Sequence, residues 1–531
     1  MVDKLIKLTE PAHSLMYAPN SLSLGKMFSD TNVLYQVVRQ YLKNEFNVKQ
    51  VEFFHNAFQQ RLSLLWGPPG TGKTTVLAGT ILGWIEHFSV SGNSLRIGIG
   101  SSNYNAIDNV LDEVIQLINR RNELSSLKAF TCSIQVTRVR SSSSPPPRNN
   151  QIMDIPSDSK QAQELISAIK SDNADIIIIG GTWQQLGKLA EKDNPEKEPA
   201  APWFDLLVID EASQVQVAAA AAYFLLLKSD GHVILAGDHK QLGPIYGFQM
   251  KDSVQGLYDC VFSYMKETHG ITPVQLYYNY RTNIEISDWP KKRFYSNAYE
   301  ANFPEKRLNL FIDIDTKPAD WPEQLPWSDE YLRILDPECP VVVISYSAST
   351  YTLSNPFEAQ IVAALTLLYK KLVDKQQPGI SQQEFWNEKI GIVTPHRAQM
   401  SSIRNLLVDN AGMIMDTLFV DTVDRFQGQE RDMILCSYVV ADRDFISSEE
   451  SFILSSRRFN VTLTRARSKF IMLVSDTLLQ HLPSDPDVAR DAAHLQLFAE
   501  QYCCSVYDSI ELPFFERGNL SKMRCKLRGR F

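Results

Sequence analysis

Five short apolar runs punctuate the first half of the chain, each closed by a Gly- or Asp-bearing turn: Leu62 to Trp66, Arg96 to Gly100, Asp175 to Gly180, Leu206 to Asp210 and His232 to Gly237. Short apolar runs of this kind are the mark of strands buried on both faces of a parallel sheet, and the intervals are long enough for crossover helices. A second series follows at Pro340 to Ser345, Lys389 to Thr394, Leu418 to Val420, Met433 to Val440 and Phe470 to Val474, again alternating with helical stretches. The pattern predicts an α/β protein with two doubly wound parallel-sheet domains in tandem.

Three stretches break the pattern. Residues 121–170 carry SSSSPPPRNN and few buried-strand signals, and read as an insertion or lid with a flexible loop. Residues 190–203 read as a charged, Pro-bearing surface loop, and 298–338, rich in Pro, Asp, Glu and Trp, as a surface excursion. The expected organisation is a helical lead-in over 1–49, a first domain over 50–268 with an insertion near 115–170, a second over 269–480, and a C-terminal tail over 481–531. The basic segment SKMRCKLRGR, Ser521 to Arg530, is expected to be a disordered terminus.

Composition narrows the class. Over 531 residues, hydrophobic residues make up 44% and charged ones 21%, ordinary values for globular proteins, and no apolar run is long enough to span a bilayer. The opening MVDKLIKLTEPAHS lacks a basic n-region followed by an apolar h-region, so an intracellular protein, cytoplasmic or nuclear, is expected. Seven cysteines without paired CxxC spacing argue against a zinc site, an iron–sulfur cluster or a disulfide framework. A formal net charge of -8 is the wrong sign for a globally basic nucleic-acid binder, so any grip on nucleic acid must be local.

The chemistry begins at Gly67-Pro68-Pro69-Gly70-Thr71-Gly72-Lys73-Thr74-Thr75, which follows an apolar strand and opens an apolar helix. That is the setting of a phosphate-binding P-loop, where glycines let backbone N–H groups turn inward at a helix N-terminus. Lys73 would reach the β and γ phosphates and Thr74 would ligate Mg²⁺. Farther on, Phe204 to Gln214 ends a hydrophobic strand with Asp210 and Glu211. At a strand C-terminus in an open α/β sheet, Asp210 would hold Mg²⁺ and Glu211 would orient and deprotonate the attacking water.

GPPGTGKTT, IDEASQ, GDHKQLGP at 237–244, YRT at 280–282, VDRFQGQERD at 423–432 and NVTLTRAR at 460–467 stand in the order found in superfamily 1 helicases. The set resembles the branch that holds the RNA surveillance helicase with its DNA-processing and tRNA-splicing relatives, and the resemblance runs from about Gln50 to Val474. It implies two RecA-like domains, ATP as cofactor and 5′ to 3′ travel. By the same resemblance Gln50 would recognise the adenine edge and Gln241 would sense the γ phosphate. Arg281 and Arg465 would be arginine fingers, Tyr280 would stack near the base, and Glu430 would contact ribose or phosphate, with Gly428 giving the backbone room to approach. An arginine fork suits a spread phosphoryl charge better than a lysine. Arg458 and Arg467 flank Arg465, and which of the three reaches the nucleotide stays open.

The turn after Arg96 to Gly100, with Ser102, Asn103 and Asn105, resembles the family's strand-binding motif. Thr182, the Thr394-Pro395-His396 turn and Thr422 occupy equivalent positions at strand C-terminal ends, and together they outline a channel for single-stranded DNA or RNA. Taken singly, such polar turns are more often helix caps. The function implied is an ATP-driven helicase or translocase; the alternative is a nucleotide-gated clamp or regulatory ATPase that does not unwind. No nuclease cluster accompanies the motor motifs, so a nuclease would have to be a partner.

Overall fold

The structure is a computed structural model that describes residues 10–22, 28, 30–124, 130, 132–147, 149–171, 173, 175–193, 202–244, 260–314, 316–426 and 428–530. It divides into two compact units, 1–277 and 278–531.

The first unit is built on one parallel sheet of eight strands: β1 (Leu62–Trp66), β2 (Leu95–Gly100), β3 (Ile134–Arg140), β4 (Met153–Pro156), β5 (Ile176–Gly181), β6 (Phe204–Ile209), β7 (Leu227–Gly237) and β8 (Val274–Gln275). Their order is β4-β3-β5-β2-β6-β7-β1-β8. Successive side chains of one strand enter opposite cores. Ile176, Ile178, Leu206 and Val208 join one cluster, while Ile177, Ile179, Leu207 and Ile209 join the other. That two-sided burial is why these strands read as unbroken apolar runs. Helices Val48–Gln59, Lys73–Ser91 and Tyr104–Leu124 cover one face; Gln161–Lys170, Trp183–Asp193 and Val217–Phe224 cover the other.

The N-terminal lead-in belongs to this body. Leu15 and Met16 enter one core, and Val38, Leu42 and Phe46 the other. The stretch expected as an insertion contributes two strands, β3 and β4, to the sheet edge. Its Ser/Pro loop is tied down, with Arg140 Nη1 donating to the carbonyls of Ser141 and Ser144 at 3.0 and 2.9 Å. Of the charged loop expected at 190–203, residues 194–201 lie outside the described residues.

The second unit opens with a short pair, β9 (Tyr278–Asn279) and β10 (Glu300–Ala301). Its main sheet holds β11 (Val341–Tyr346), β12 (Ile390–Val393), β13 (Val420–Asp421), β14 (Arg431–Ser437), β15 (Ala466–Ser475), β16 (Ser505–Glu516) and β17 (Asn519–Arg530). The order is β13-β12-β14-β15-β11-β17-β16, with β11 to β15 parallel. The excursion at 298–338 folds back onto this body and buries Leu308, Trp321, Leu325 and Tyr331 in its core.

The C-terminus departs from expectation. The segment expected as a disordered basic tail is strand β17, paired antiparallel to β11 on one side and to β16 on the other. Lys-Met-Arg-Cys-Lys-Leu-Arg alternates charge with apolar side chains. Cys525 and Leu527 pack into the core while the cations face away. Arg517 and Gly518 both take the left-handed backbone at φ 51° and 84°, the geometry a tight hairpin turn requires.

Candidate phosphate-binding and strand-binding sites

In the first unit the glycine-rich turn between β1 and the helix Lys73–Ser91 places Gly70 and Gly72 in the left-handed region, at φ 72° and 81°. The backbone favours glycine at Gly72, where a Cβ would stand 2.9 Å from Gln50 Nε2 and push that amide aside. A Cβ at Gly67 would meet Lys73 Cβ at 2.9 Å. Pro68, Pro69 and Thr71 are buried, and Thr71 Oγ1 donates to the Pro68 carbonyl at 2.7 Å. Thr74 and Thr75 are half-buried on the first turn of the helix.

Lys73 is aimed at the end of β6. Its ammonium donates to Glu211 Oε1 at 2.7 Å and lies 3.1 Å from Asp210 Oδ1. Burial opposes the charge on Lys73, but the two carboxylates outweigh it and hold the ammonium above its ordinary value. Glu211 itself sits at φ 51°, a conformation that costs a non-glycine residue about 1–3 kcal/mol. Its N–H donates to Asp210 Oδ1 at 2.8 Å, which locks the adjoining carboxylates in fixed relative orientation.

Gln241 is held in the same region. Its Nε2 donates to Asp238 Oδ2 at 2.9 Å, and Trp66 Nε1 donates to Asp238 Oδ1 at 2.9 Å. Asp238, fully buried, is a residue that sequence reasoning passed over; the GD of GDHKQLGP was the available signal. Gln50 has structural partners at both ends of its side chain. Asn47 N–H donates to its Oε1 at 3.0 Å, and its Nε2 donates to the Thr71 carbonyl at 3.2 Å. Gln50 is thus half of a capping box and a strut under the phosphate turn. Gln50→Ala is expected to lower stability by about 1 kcal/mol in a thermal melt without nucleotide, before any effect on nucleotide affinity.

The strand-binding candidates of this unit lie beside the same carboxylates. Ser102 Oγ donates to Gln214 Oε1 at 3.1 Å, and Gln214 Nε2 donates to Glu211 Oε2 at 3.3 Å. One side chain therefore links Glu211 to the turn after β2. Asn103 Oδ1 accepts from Ala106 N–H at 2.9 Å, so this residue does cap its helix. Asn105 is exposed, and Thr182 is buried with its carbonyl accepting the N–H groups of Gln185 and Leu186 in the helix Trp183–Asp193.

In the second unit Glu430 gathers the arginines. Arg281 Nε pairs with Glu430 Oε2, and Arg467 Nε donates to Oε1 at 2.9 Å. Arg281, followed by Arg467, holds the Glu430 carboxyl down at about 2. Arg281 also donates to the Thr464 carbonyl at 2.9 Å, and Arg465, buried, to those of Val461 and Gln429 at 3.2 and 3.3 Å. Tyr280 is half-buried beside Arg281, and Gly428 is exposed at φ 80°. Arg458 points elsewhere, pairing with Asp424 at 2.7 Å and lying over Phe452 at 4.3 Å.

A small cavity of about 40 Å³ opens at the C-terminal ends of β12, β13 and β14. It brings Thr394, Pro395 and Thr422 together with Tyr438, Phe452 and Arg458. The Thr394 hydroxyl is buried with no hydrogen-bond partner among the described residues, which leaves it available to a ligand group. His396 does not line the cavity. It is buried, 3.7 Å from Glu449, and burial depresses its imidazole.

Two family models, each described as an AAA domain, match residues 50–248 and 257–477. The chain is 26% identical to the Regulator of nonsense transcripts 1 homolog of Arabidopsis thaliana over 83% of its length and 33% of that protein's. It is 25% identical to DNA-binding protein SMUBP-2 of Rattus norvegicus over 79% of this chain and 41% of that one. Against DNA polymerase alpha-associated DNA helicase A of Saccharomyces cerevisiae the identity is 24%, over 84% and 67% respectively. The chain spans between a third and about two fifths of the length of the first two relatives.

Proposed function

Because the chain belongs to the superfamily 1 helicases, in the branch of the RNA surveillance helicase and its DNA-processing relatives, we propose that it is an ATP-driven motor on single-stranded DNA or RNA, moving 5′ to 3′. The observation that carries the reading is the Lys73–Asp210–Glu211 cluster, set directly against a left-handed glycine turn at a helix N-terminus. An ammonium positioned by two carboxylates, with backbone N–H groups beside it, suits a nucleotide's terminal phosphates.

The donors present also fit Mg²⁺. The ion is commonly held by one or two protein oxygens, with phosphates and water completing its shell. The Thr74 hydroxyl and the buried Asp210 carboxylate are such a pair, and no group of three acidic or metal-ligating side chains competes for it among the described residues. Bound there, Mg²⁺ would neutralise charge on the phosphates. Glu211 would accept the proton of the attacking water, and Gln241, fixed by Asp238, would report the γ phosphate. Arg281 and Arg465 would supply positive charge to the transition state, and Glu430, Gly428, Tyr280 and Gln50 would border the nucleotide. Ser102, Asn103, Asn105, Thr182, Thr394, Pro395, His396 and Thr422 would contact the strand.

The test is ATP hydrolysis by the full chain, alone and with single-stranded DNA or RNA. A severalfold or greater stimulation by one polymer is expected; indifference to both would leave a protein-directed ATPase or clamp. The Ser102–Gln214–Glu211 contacts give this stimulation a route. Gln214→Ala is expected to keep unstimulated hydrolysis within about twofold, while reducing strand stimulation about fivefold, within the usual range of coupling between sites. Equal loss with and without strand would assign Gln214 to catalysis alone.

A further inference from the structure

The basic C-terminal segment has no part in the motor described above, yet it is an ordered strand inside a sheet. Cross-strand pairs Ile510 with Cys525 and Leu512 with Met523 turn the odd-numbered side chains of β17 to the core side. Its cations, Lys522, Arg524, Lys526, Arg528 and Arg530, all fall on the even positions of the opposite face. No acid interrupts them, in a chain whose net charge is -8.

The two ends of this row differ. Arg530 is engaged by Asp288 at 3.1 Å and lies 4.0 Å over Tyr502, and Arg528 approaches Glu500 at 3.9 Å. Toward the turn, Lys522 has an exposed partner, Glu511, at 3.1 Å. Arg524 and Lys526 are exposed, and no described residue forms an ion pair with either. Protection of a sheet edge does not account for them, because β17 lies between β11 and β16 and the edge strand is β16. Across the hairpin Glu511 stands opposite Arg524 and pairs with Lys522, so one carboxylate faces the three cations nearest the turn and leaves an excess of positive charge on this face.

The register gives the row a place. Val341 pairs with Arg530 and Tyr346, the last residue of β11, with Cys525. Lys522 and Arg524 therefore overhang the C-terminal end of the sheet. Strands β12 and β13, parallel to β11, finish at that same edge beside Thr394 and Thr422. Same-face neighbours on β17 repeat every ~6.8 Å, comparable with the distance between successive phosphates on one strand, and β17 lies four strand steps, roughly 19 Å, from β12.

We propose that Lys522, Arg524 and Lys526, with Arg517 at the turn, form an accessory grip on the phosphate backbone of nucleic acid, outboard of the strand-binding cavity. The grip rests on the motor reading for its purpose, which is to keep the polymer engaged while the cavity releases it. It makes contacts to phosphate and carries no sequence preference. Duplex and single strand present the same phosphates, and the experiment separates them.

Arg524→Ala/Lys526→Ala and Arg524→Glu/Lys526→Glu are made in the full chain. Binding of labelled single strands and of a blunt duplex is read by fluorescence anisotropy across a salt series. For the Ala pair the log–log salt slope on single strands should become shallower by about 1.4, two contacts at about 0.7 each. The Glu pair should bind about tenfold or more weakly, while ATP turnover at saturating strand stays within twofold. Arg524→Lys/Lys526→Arg, which keeps the charges, should bind as the parent does and separates charge from folding. If only the duplex loses affinity, the grip holds the duplex ahead of the motor; if only the single strand does, it holds the track.

Unchanged affinity and slope for both polymers would overturn the proposal. So would loss of binding to phosphatidylserine vesicles with binding to both polymers intact. Failure of the motor reading has a different signature: no polymer would stimulate hydrolysis by the parent chain, whatever the variants bind.

Discussion

Lys73→Ala is expected to abolish ATP hydrolysis and to lower the stability of the nucleotide-free protein by about 3 kcal/mol, whereas Glu211→Gln should cut hydrolysis 100-fold or more with little change in stability. The two differ because of what each leaves behind. Lys73 is the cation facing Asp210 and Glu211, at 3.1 and 2.7 Å, and Asp210 is buried. Removing the ammonium strands a buried carboxylate beside a second one. Glu211→Gln keeps an oxygen for Lys73 and removes the basicity proposed for this carboxylate; its new amide N–H faces Gln214, whose own amide must turn over to accept it and donate to Ser102 Oγ instead. Phosphate release under saturating ATP and urea unfolding without nucleotide read the two effects separately. Hydrolysis surviving in Glu211→Gln would exclude this carboxylate as the base.

All ten strands expected from apolar runs are present, with ends shifted by a few residues, because two-sided burial writes a continuous hydrophobic signal. What escaped was written differently. Strand β3, Ile-Gln-Val-Thr-Arg-Val-Arg, lies near the sheet edge, and its arginines are spent on Asp108, Asp154 and the Ser/Pro loop, so its pattern is half polar. Strand β17 alternates cations with apolar residues, a strand signal that the concentration of charge disguised as a tail. The phosphate turn was legible because its chemistry is contiguous. Of the contacts that position it, Asp238 with Gln241 and Gln214 with Glu211 are three residues apart within GDHKQLGP and IDEASQ and were open to a local reading, whereas the approach of Ser102 to Gln214 is tertiary and carries no local signal. For Gln50 and Asn103 the helix-capping role common to polar turn residues is present in the structure.

A second large effect is expected at Glu358, which no motif singles out. It lies in the first turn of the helix Pro356–Gln376, fully buried, and its Oε2 accepts from Val439 N–H at 2.9 Å and from Ser437, while Tyr346 OH donates to Oε1 at 2.6 Å. Asn355 Nδ2 donates to the Val439 carbonyl at 3.0 Å, so side chains clamp both backbone polar groups of a β-branched residue at φ 72°. That clamp fixes the chain just after Tyr438, a wall of the cavity at Thr394. Burial raises the Glu358 carboxyl from 4.5 to about 7, against the pull of its hydrogen-bond donors. A group whose value is higher in the folded state favours folding most when protonated in both states, below pH 4.5, and that contribution fades as pH rises toward 7. Across this window the loss is about 3 kcal/mol. Glu358→Gln cannot ionise, so its stability relative to the parent should improve by that amount between pH 4.5 and 8 in urea unfolding, and stay level above pH 8. Glu358→Ala should be destabilised at every pH, because it leaves the Val439 N–H and two hydroxyls without their acceptor. A Gln variant whose stability tracks the parent at all pH values would mean that Glu358 titrates in its ordinary range and that the clamp holds as a carboxylate.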